Sequence, residues 1–244
     1  MDWTKAKNIL IAALLVTNLL FLASMFYGNA KVNSENALFL ENTIAVLHER
    51  NINIEGELRA KQISMPVLSV EYDNADPALI KALIASQKSL PGSSWSETAI
   101  REMAEAFLAK CGLMTENVRY DGIQKNSGLY NIHYSDTING IAIEDSYMNC
   151  SIKDGKVQAV SRLWLKPVDF GKTKKQVIPI ALALIKFMTD HPGGEKVTIQ
   201  KIELVYWLDA VNFGLESPVS DTAFPSWKIS YNYGQVSHIN AFEQ

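Results

Sequence analysis

Residues 8–30 form a long apolar run that separates a short polar start from the rest of the chain. The segment, NILIAALLVTNLLFLASMFYGNA, contains no acidic, basic or histidine side chain. A helix of about 20 apolar residues crosses the hydrocarbon core of a bilayer with all of its backbone hydrogen bonds made internally. The pattern therefore predicts a transmembrane anchor at 8–30, preceded by a tail at 1–7 and followed by a globular region at 31–244.

The charges that flank this run predict its direction. Lys5 and Lys7 precede it, whereas Lys31 after it is soon followed by acidic residues, of which Glu35 is the first. Lysine is retained on the cytoplasmic side of membranes, so the N-terminus is expected in the cytoplasm and the remaining chain outside the cell. A cleaved signal peptide is the alternative, but its apolar part usually has only about 7–15 residues, which favours an uncleaved anchor.

Small and polar side chains mark one side of the predicted anchor. The positions concerned are Ala13, Thr17, Asn18, Ser24 and Gly28. At about 100° per residue, all but Asn18 fall within a narrow arc, and Thr17 and Asn18 lie near the bilayer centre. Small residues allow a second helix to approach closely, and an amide in hydrocarbon seeks a hydrogen-bonding partner. These positions are the predicted contact with a partner helix; a simple tether that tolerates a polar residue is the alternative.

Helical spacing of apolar residues predicts a stalk helix at 34–51, with Ser34 as its N-cap. Its apolar stripe consists of Ala37, Leu40, Ile44 and Leu47. A shorter helix is predicted at 77–87, where Asp76 and a first-position proline are typical of a helix start. Short strands at 52–55 and 67–72 complete a predicted segment at 31–92.

A helix followed by an antiparallel meander then occurs twice. Ser94-x-x-Glu97 and Thr173-x-x-Gln176 have the spacing of capping boxes and predict helices that end near residues 113 and 190. Pro179 means that the second helix either starts later than its box or bends there. The predicted strands lie at 118–124, 129–134, 141–153, 156–165, 196–209, 226–233 and 236–242. The chain is therefore predicted to have an α+β fold, with a first repeat at 93–171 and a second at 172–244.

Composition narrows the classes of function. The net charge is −3 and no long basic run occurs, which disfavours nucleic-acid binding. The two cysteines, Cys111 and Cys150, lie on predicted apolar faces. A position outside the cell permits a disulfide between them, but the apolar faces equally suit two buried free thiols.

Residues typical of catalysis or metal binding do not form a recognisable pattern. The four histidines are His48, His133, His191 and His238, and no pair of them has the spacing of a zinc site. Neither G-x-S-x-G nor H-E-x-x-H occurs. Glu144 and Asp145 are adjacent, so they are expected on opposite faces of a strand. The sequence therefore predicts no enzyme activity, no cofactor and no metal.

The opening MDWTKAK, which runs straight into a single anchor, resembles the start of the YycI (WalI) family. Two sheet segments are similar to that family, to its sister YycH and to PepSY-like domains. They are Asp145-Ser146 with Asp154-Gly155-Lys156-Val157, and 223–229 with Ile239-Asn240-Ala241. The resemblance covers essentially the whole chain and implies an extracytoplasmic region of YycH/PepSY-like repeats.

The resemblance also implies a function and partners. YycI proteins are membrane-anchored, non-enzymatic regulators in the WalK/WalR (YycG/YycF) two-component system, which controls cell-wall metabolism. They act with YycH on the sensor histidine kinase WalK, through contacts that include transmembrane helices, and activation and repression both occur in the family. The expected partners are therefore a YycH-like protein and WalK, in a homo- or hetero-oligomer at the cell membrane. The alternative is an extracytoplasmic PepSY-type binding module, a protease inhibitor or ligand sensor, that the anchor merely tethers.

Overall fold

The computed structural model describes residues 3–56, 58, 63–87, 95–191, 195–208 and 220–242. The helices are α1 (Trp3–Glu49), α2 (Pro77–Ser86), α3 (Glu97–Lys110) and α4 (Ile180–Asp190). The strands are β1 (Ile52–Ile54), β2 (Ser64–Met65), β3 (Leu68–Tyr72), β4 (Val118–Asn126), β5 (Leu129–Ile138), β6 (Ile141–Lys153), β7 (Lys156–Leu163), β8 (Leu165–Phe170), β9 (Lys175–Gln176), β10 (Val197–Trp207), β11 (Ser220–Tyr231) and β12 (Gln235–Asn240). The prediction of an α+β fold is confirmed.

Two compact units are assembled from segments that alternate along the chain. The first consists of Met1–Ile63, Val177–Lys201 and Ile229–Ser237, and the second of Ser64–Gln176, Ile202–Lys228 and His238–Gln244. The predicted segments 31–92, 93–171 and 172–244, by contrast, follow one another. The division into two consecutive repeats stays a prediction.

Helix α1 joins the predicted anchor and the predicted stalk into one uninterrupted helix. Ser34 is therefore an interior residue and the prediction that it caps a helix is wrong, because the residues before it are themselves helical. The buried side chains of the stalk part are Leu40, Thr43 and Leu47. Ala37 is exposed and Ile44 is 37% exposed, so the predicted places of these two residues in the buried stripe are wrong. The Thr43 hydroxyl is satisfied by donating to the carbonyl oxygen of Phe39 at 2.8 Å.

Helix α4 supplies the apolar surface against which α1 packs in the first unit. Its buried side chains are Ile180, Ala181, Ala183, Leu184 and Phe187. The helix begins after Pro179, so Thr173-x-x-Gln176 is not a capping box. Proline lacks an N–H and disfavours helical backbone in the residue before it, which explains the late start. In the same unit, β1 pairs in parallel with the beginning of β10, from Ile52 opposite Val197 to Ile54 opposite Ile199.

The second unit is built on an antiparallel meander of β4, β5, β6 and β7. Beyond β6 the sheet continues with β10, β11, β3 and β8. Asp154 and Gly155 both have positive φ, +50° and +68°, as a tight hairpin between β6 and β7 requires. Strands β2, β8 and β9 were not expected from the sequence, which placed residues 164 and 165 in one strand with β7.

Helix α3 covers one face of this meander. Its N-cap is Ser96, whose hydroxyl oxygen accepts from the N–H of Ala99 at 3.2 Å, so the predicted cap at Ser94 is wrong; Ser94 itself lies outside the described residues. Gly112 ends the helix with φ +71°, as predicted. Cys111 and Cys150 lie in the same core and are free thiols, so the structure contains no disulfide between them.

The buried stripe of α1 leads us to expect a difference in stability between two alanine variants. Replacing the fully buried Leu47 with alanine should lower the free energy of unfolding by about 2–4 kcal/mol, because the lost side chain leaves a cavity. Ile44→Ala on the same helix should cost less than about 1 kcal/mol, since Ile44 stays partly in water. Urea unfolding of both variants measures the difference, and a larger loss for Ile44→Ala would contradict the stripe.

Candidate functional site

Seven residues were predicted either to set the orientation of the anchor in the membrane or to contact a partner helix, and all seven lie on α1. They are Lys5, Lys7, Ala13, Thr17, Asn18, Ser24 and Gly28. The side chains of Lys7, Thr17 and Asn18 are exposed, and those of the other four lie outside the described part. The large apolar side chains between Leu14 and Phe21 are 56–72% exposed. No helix in the described part of the chain is long and apolar enough to cross a membrane, and the contact between these positions and a partner helix stays a prediction.

A cluster of charged and aromatic side chains, the Glu144 cluster, lies in the second unit. It consists of Glu144 on β6, Trp207 on β10, Lys228 on β11 and His238 on β12. Lys228 Nζ donates to Glu144 Oε1 at 2.7 Å, and His238 Nε2 lies 3.6 Å from the same oxygen. The ring of Trp207 stacks on that of His238, with the centroids 4.6 Å apart and the planes at 7°. Four strands therefore meet around one carboxylate.

Partial burial makes the charges of this cluster depend on one another. The side chains of Glu144, His238 and Lys228 are only 16%, 17% and 25% exposed. Burial by itself raises the pKa of Glu144, but His238 and Lys228 outweigh it and hold the pKa below its usual range. Glu144 is therefore an anion at neutral pH.

Asp145 follows Glu144 directly, and the charges of the same basic groups act on it. Its backbone has φ +63°, so the regular alternation of β6 is interrupted there. Burial, followed by the negative charge of Glu144, raises the pKa of Asp145, while His238 and Lys228 lower it in part. The expectation that the two carboxyl groups lie on opposite faces of the strand stays a prediction. The arrangement can hold an ion pair and take up a proton.

A second buried carboxyl group, Asp136, lies at an irregularity between β5 and β6. The register shifts between Ser135 and Thr137, so Asp136 has no direct partner in β6, and its side chain is fully buried. Neither carboxylate oxygen has a hydrogen-bond partner among the described residues. Burial raises the pKa of Asp136 to about 6, although Thr137, Ser146 and the charge of Arg162 lower it in part. This carboxyl group opposes folding once it is ionised.

Metal ligands do not converge in the described part of the chain. No group of three or more His, Cys, Asp or Glu side chains there could hold a metal ion. The Glu144 cluster was not found from the sequence because its members are separated by up to 94 positions, and only strand pairing brings them together. The alternation of apolar residues in β6 shows which positions are buried but not which strands lie opposite.

These features define an α+β protein with a long N-terminal helix and an internal ion pair. The sequence model of the family described as "YycI protein" matches residues 33–242. The chain therefore belongs to the YycI family, a regulatory and non-enzymatic family. A comparison with curated proteins finds no match.

One solved structure is similar to part of the chain. It is described as "Bacillus megaterium YpeB C-terminal domain", with 11% sequence identity and a TM-score of 0.36. The similarity covers 64% of this chain and 64% of that chain, so less than two thirds of either is matched.

Removing the cation of the Glu144 cluster tests its energetic role. Lys228→Met should lower the free energy of unfolding by about 1–3 kcal/mol near pH 7, because Glu144 then keeps its partial burial but loses a charged hydrogen-bond partner. Glu144 has a lowered pKa when folded, so its ionised form adds stability above the unfolded value, near 4.5. That contribution is lost as the pH falls through the folded value, and the difference between wild type and variant should shrink there. Urea unfolding across this pH range measures both effects.

Arg119→Met is the matched control. Arg119 Nε donates to Asp121 Oδ1 at 3.0 Å, but the two side chains are 49% and 34% exposed. Such a pair contributes less than about 1 kcal/mol. Equal losses in the two variants, or a Lys228→Met loss that stays constant in acid, would contradict the proposed role of the cluster.

Proposed function

We propose that this protein is a membrane-anchored regulator of the sensor histidine kinase WalK (YycG) that acts together with a YycH-like partner. The observation that carries the proposal is the YycI family match across residues 33–242. The protein is a regulator without enzyme activity of its own, and it affects cell-wall metabolism through the output of the kinase.

The anchor in this proposal is the N-terminal part of α1, at residues 8–30. It contains no charged residue over a length of 23 residues, and a helix of that length is sufficient to cross a bilayer. The described side chains between Leu14 and Phe21 present large apolar groups to the outside. Contiguous apolar surface of this kind is typical of a membrane or protein contact. Lys5 and Lys7 place the N-terminus in the cytoplasm, and the C-terminal region lies outside the cell.

Contact with the kinase is proposed to involve the small and polar side of the anchor. Ala13, Thr17, Ser24 and Gly28 allow close approach of a second helix, and Asn18 supplies an amide for a hydrogen bond across the interface. Modulation of the kinase is proposed to pass through these helix contacts, in addition to contacts outside the membrane.

An exchange of the anchor separates this proposal from simple tethering. In one variant, residues 8–30 are replaced by an unrelated apolar helix of equal length; in a second, Ala13, Thr17, Asn18, Ser24 and Gly28 are restored within that helix. Phosphorylated WalR is measured in cells that carry equal amounts of each protein in the membrane. We expect the first variant to lose modulation of the kinase and the second to regain it.

Full modulation by the first variant would contradict the helix contact. It would favour the alternative in which a PepSY-type module outside the membrane binds a protease or another ligand and the anchor serves only as a tether. The family assignment would be unaffected, because the family match begins at residue 33.

A further inference from the structure

Strand β7 lies at an edge of the sheet in the second unit. It pairs with β6 along one side, from Lys156 opposite Lys153 to Leu163 opposite Tyr147. None of the described strands pairs with its other side. An unpaired edge offers backbone N–H and C=O groups to any further strand, and proteins usually cover or interrupt such edges. A strand from a partner can therefore pair with the outer edge of β7.

The side-chain amide of Gln87 already forms hydrogen bonds with backbone groups on this edge. The N–H of Val157 donates to Gln87 Oε1 at 3.0 Å, and Gln87 Nε2 donates to the carbonyl oxygen of Val157 at 3.4 Å. One amide thus satisfies both backbone groups of Val157, as a peptide group in a neighbouring strand does. Gln87 directly follows α2 and marks one end of the free edge.

Helix α2 forms the opposite wall and is itself incompletely covered. Ile80, Leu83 and Ile84 pack partly against the core, yet no residue of α2 is fully buried. Leu79 is 44% exposed. The space between α2 and the outer edge of β7 is an open groove of about 440 Å³, here called the α2–β7 groove. Its lining includes Ile80, Lys81 and Ile84 from α2 and Gln158, Ala159 and Val160 from β7.

The charges in the α2–β7 groove favour an acidic partner. Asp73 and Arg162 neutralise each other, because Arg162 Nη2 lies 2.6 Å from Asp73 Oδ2. Arg162 also donates from Nη1 to the carbonyl oxygen of Asp73 at 2.8 Å. Lys81 has no acidic partner among the described residues. The groove therefore combines apolar walls, a free strand edge and one uncompensated positive charge.

We propose that the α2–β7 groove binds an extended peptide segment of a partner protein, which adds to β7 as a further strand. Its backbone pairs with β7 beyond Gln87, an apolar side chain packs between Ile80, Ile84 and Val160, and an acidic side chain faces Lys81. A groove between a helix and an edge strand is a general geometry for peptide recognition by strand addition. The site is separate from the kinase contact proposed for α1 and does not depend on it.

Selection of peptides on the full chain tests this proposal. Phage that display random twelve-residue peptides are selected on the protein in lipid nanodiscs, and the enriched peptides are synthesised. We expect alternating apolar residues and at least one Asp or Glu. Lys81→Glu should weaken their binding about five- to tenfold, whereas Lys174→Glu, a reversal of an exposed lysine outside the groove lining, should leave it unchanged. Methylation of alternate backbone nitrogens on the peptide should weaken binding at least about tenfold, because it removes strand hydrogen bonds.

Hydrogen exchange identifies the place of binding. Bound peptide should slow exchange in β7 and leave the rate in α4 unchanged. No enrichment, equal binding to the Lys81→Glu protein, or protection outside β7 and α2 would overturn the proposal. A dimer of the full chain that Lys81→Glu dissociates would assign the groove to a second copy of this chain and would also overturn it.

Discussion

Helix α1 is unbroken from Trp3 to Glu49, so the N-terminal segment cannot move independently of the rest of this helix. Leu40, Thr43 and Leu47 are buried near its C-terminal end, and α4 packs against the same helix. A helix without a break transmits rotation and translation along its axis, because each turn is hydrogen-bonded to the next. A movement imposed on residues 8–30 is therefore carried to the part of the same helix that packs against α4, and the reverse also holds. A flexible linker after residue 30 would not couple the two parts in this way.

Regulation in such a protein depends on surfaces and not on reactive groups. Within the described residues of the second unit, a carboxylate lies between a lysine and a histidine where four strands meet. The exposed apolar part of α1 and the α2–β7 groove are, by contrast, surfaces that the fold leaves uncovered within the described residues. The first suits a helix and the second suits an extended strand, so the two can take different partners.

Local signals in the sequence predicted elements whose start or end depends on one or two side chains. Asp76 caps α2 by accepting from the N–H of Ala78 at 2.8 Å, and the Asp154-Gly155 turn forms as expected because both residues tolerate positive φ. The predictions failed where a distant strand decides the outcome. Strand β8 forms because it pairs with β3, and the pairing of β9 with β2 holds residues 175 and 176 in a strand instead of a helix. The Glu144 cluster was missed for the same reason, since no spacing along the chain places Lys228 opposite β6.

The most direct measurement of the central claim is photo-crosslinking from α1 in cells that contain WalK. Thr17 and Leu15 differ by about 160° around the helix, and both side chains are exposed. A photoreactive amino acid at position 17 should crosslink to a membrane helix of the kinase, while the same group at position 15 should crosslink mainly to lipid. Equal crosslinking to the kinase from both positions, or none from position 17, would contradict a specific contact on this side of the helix.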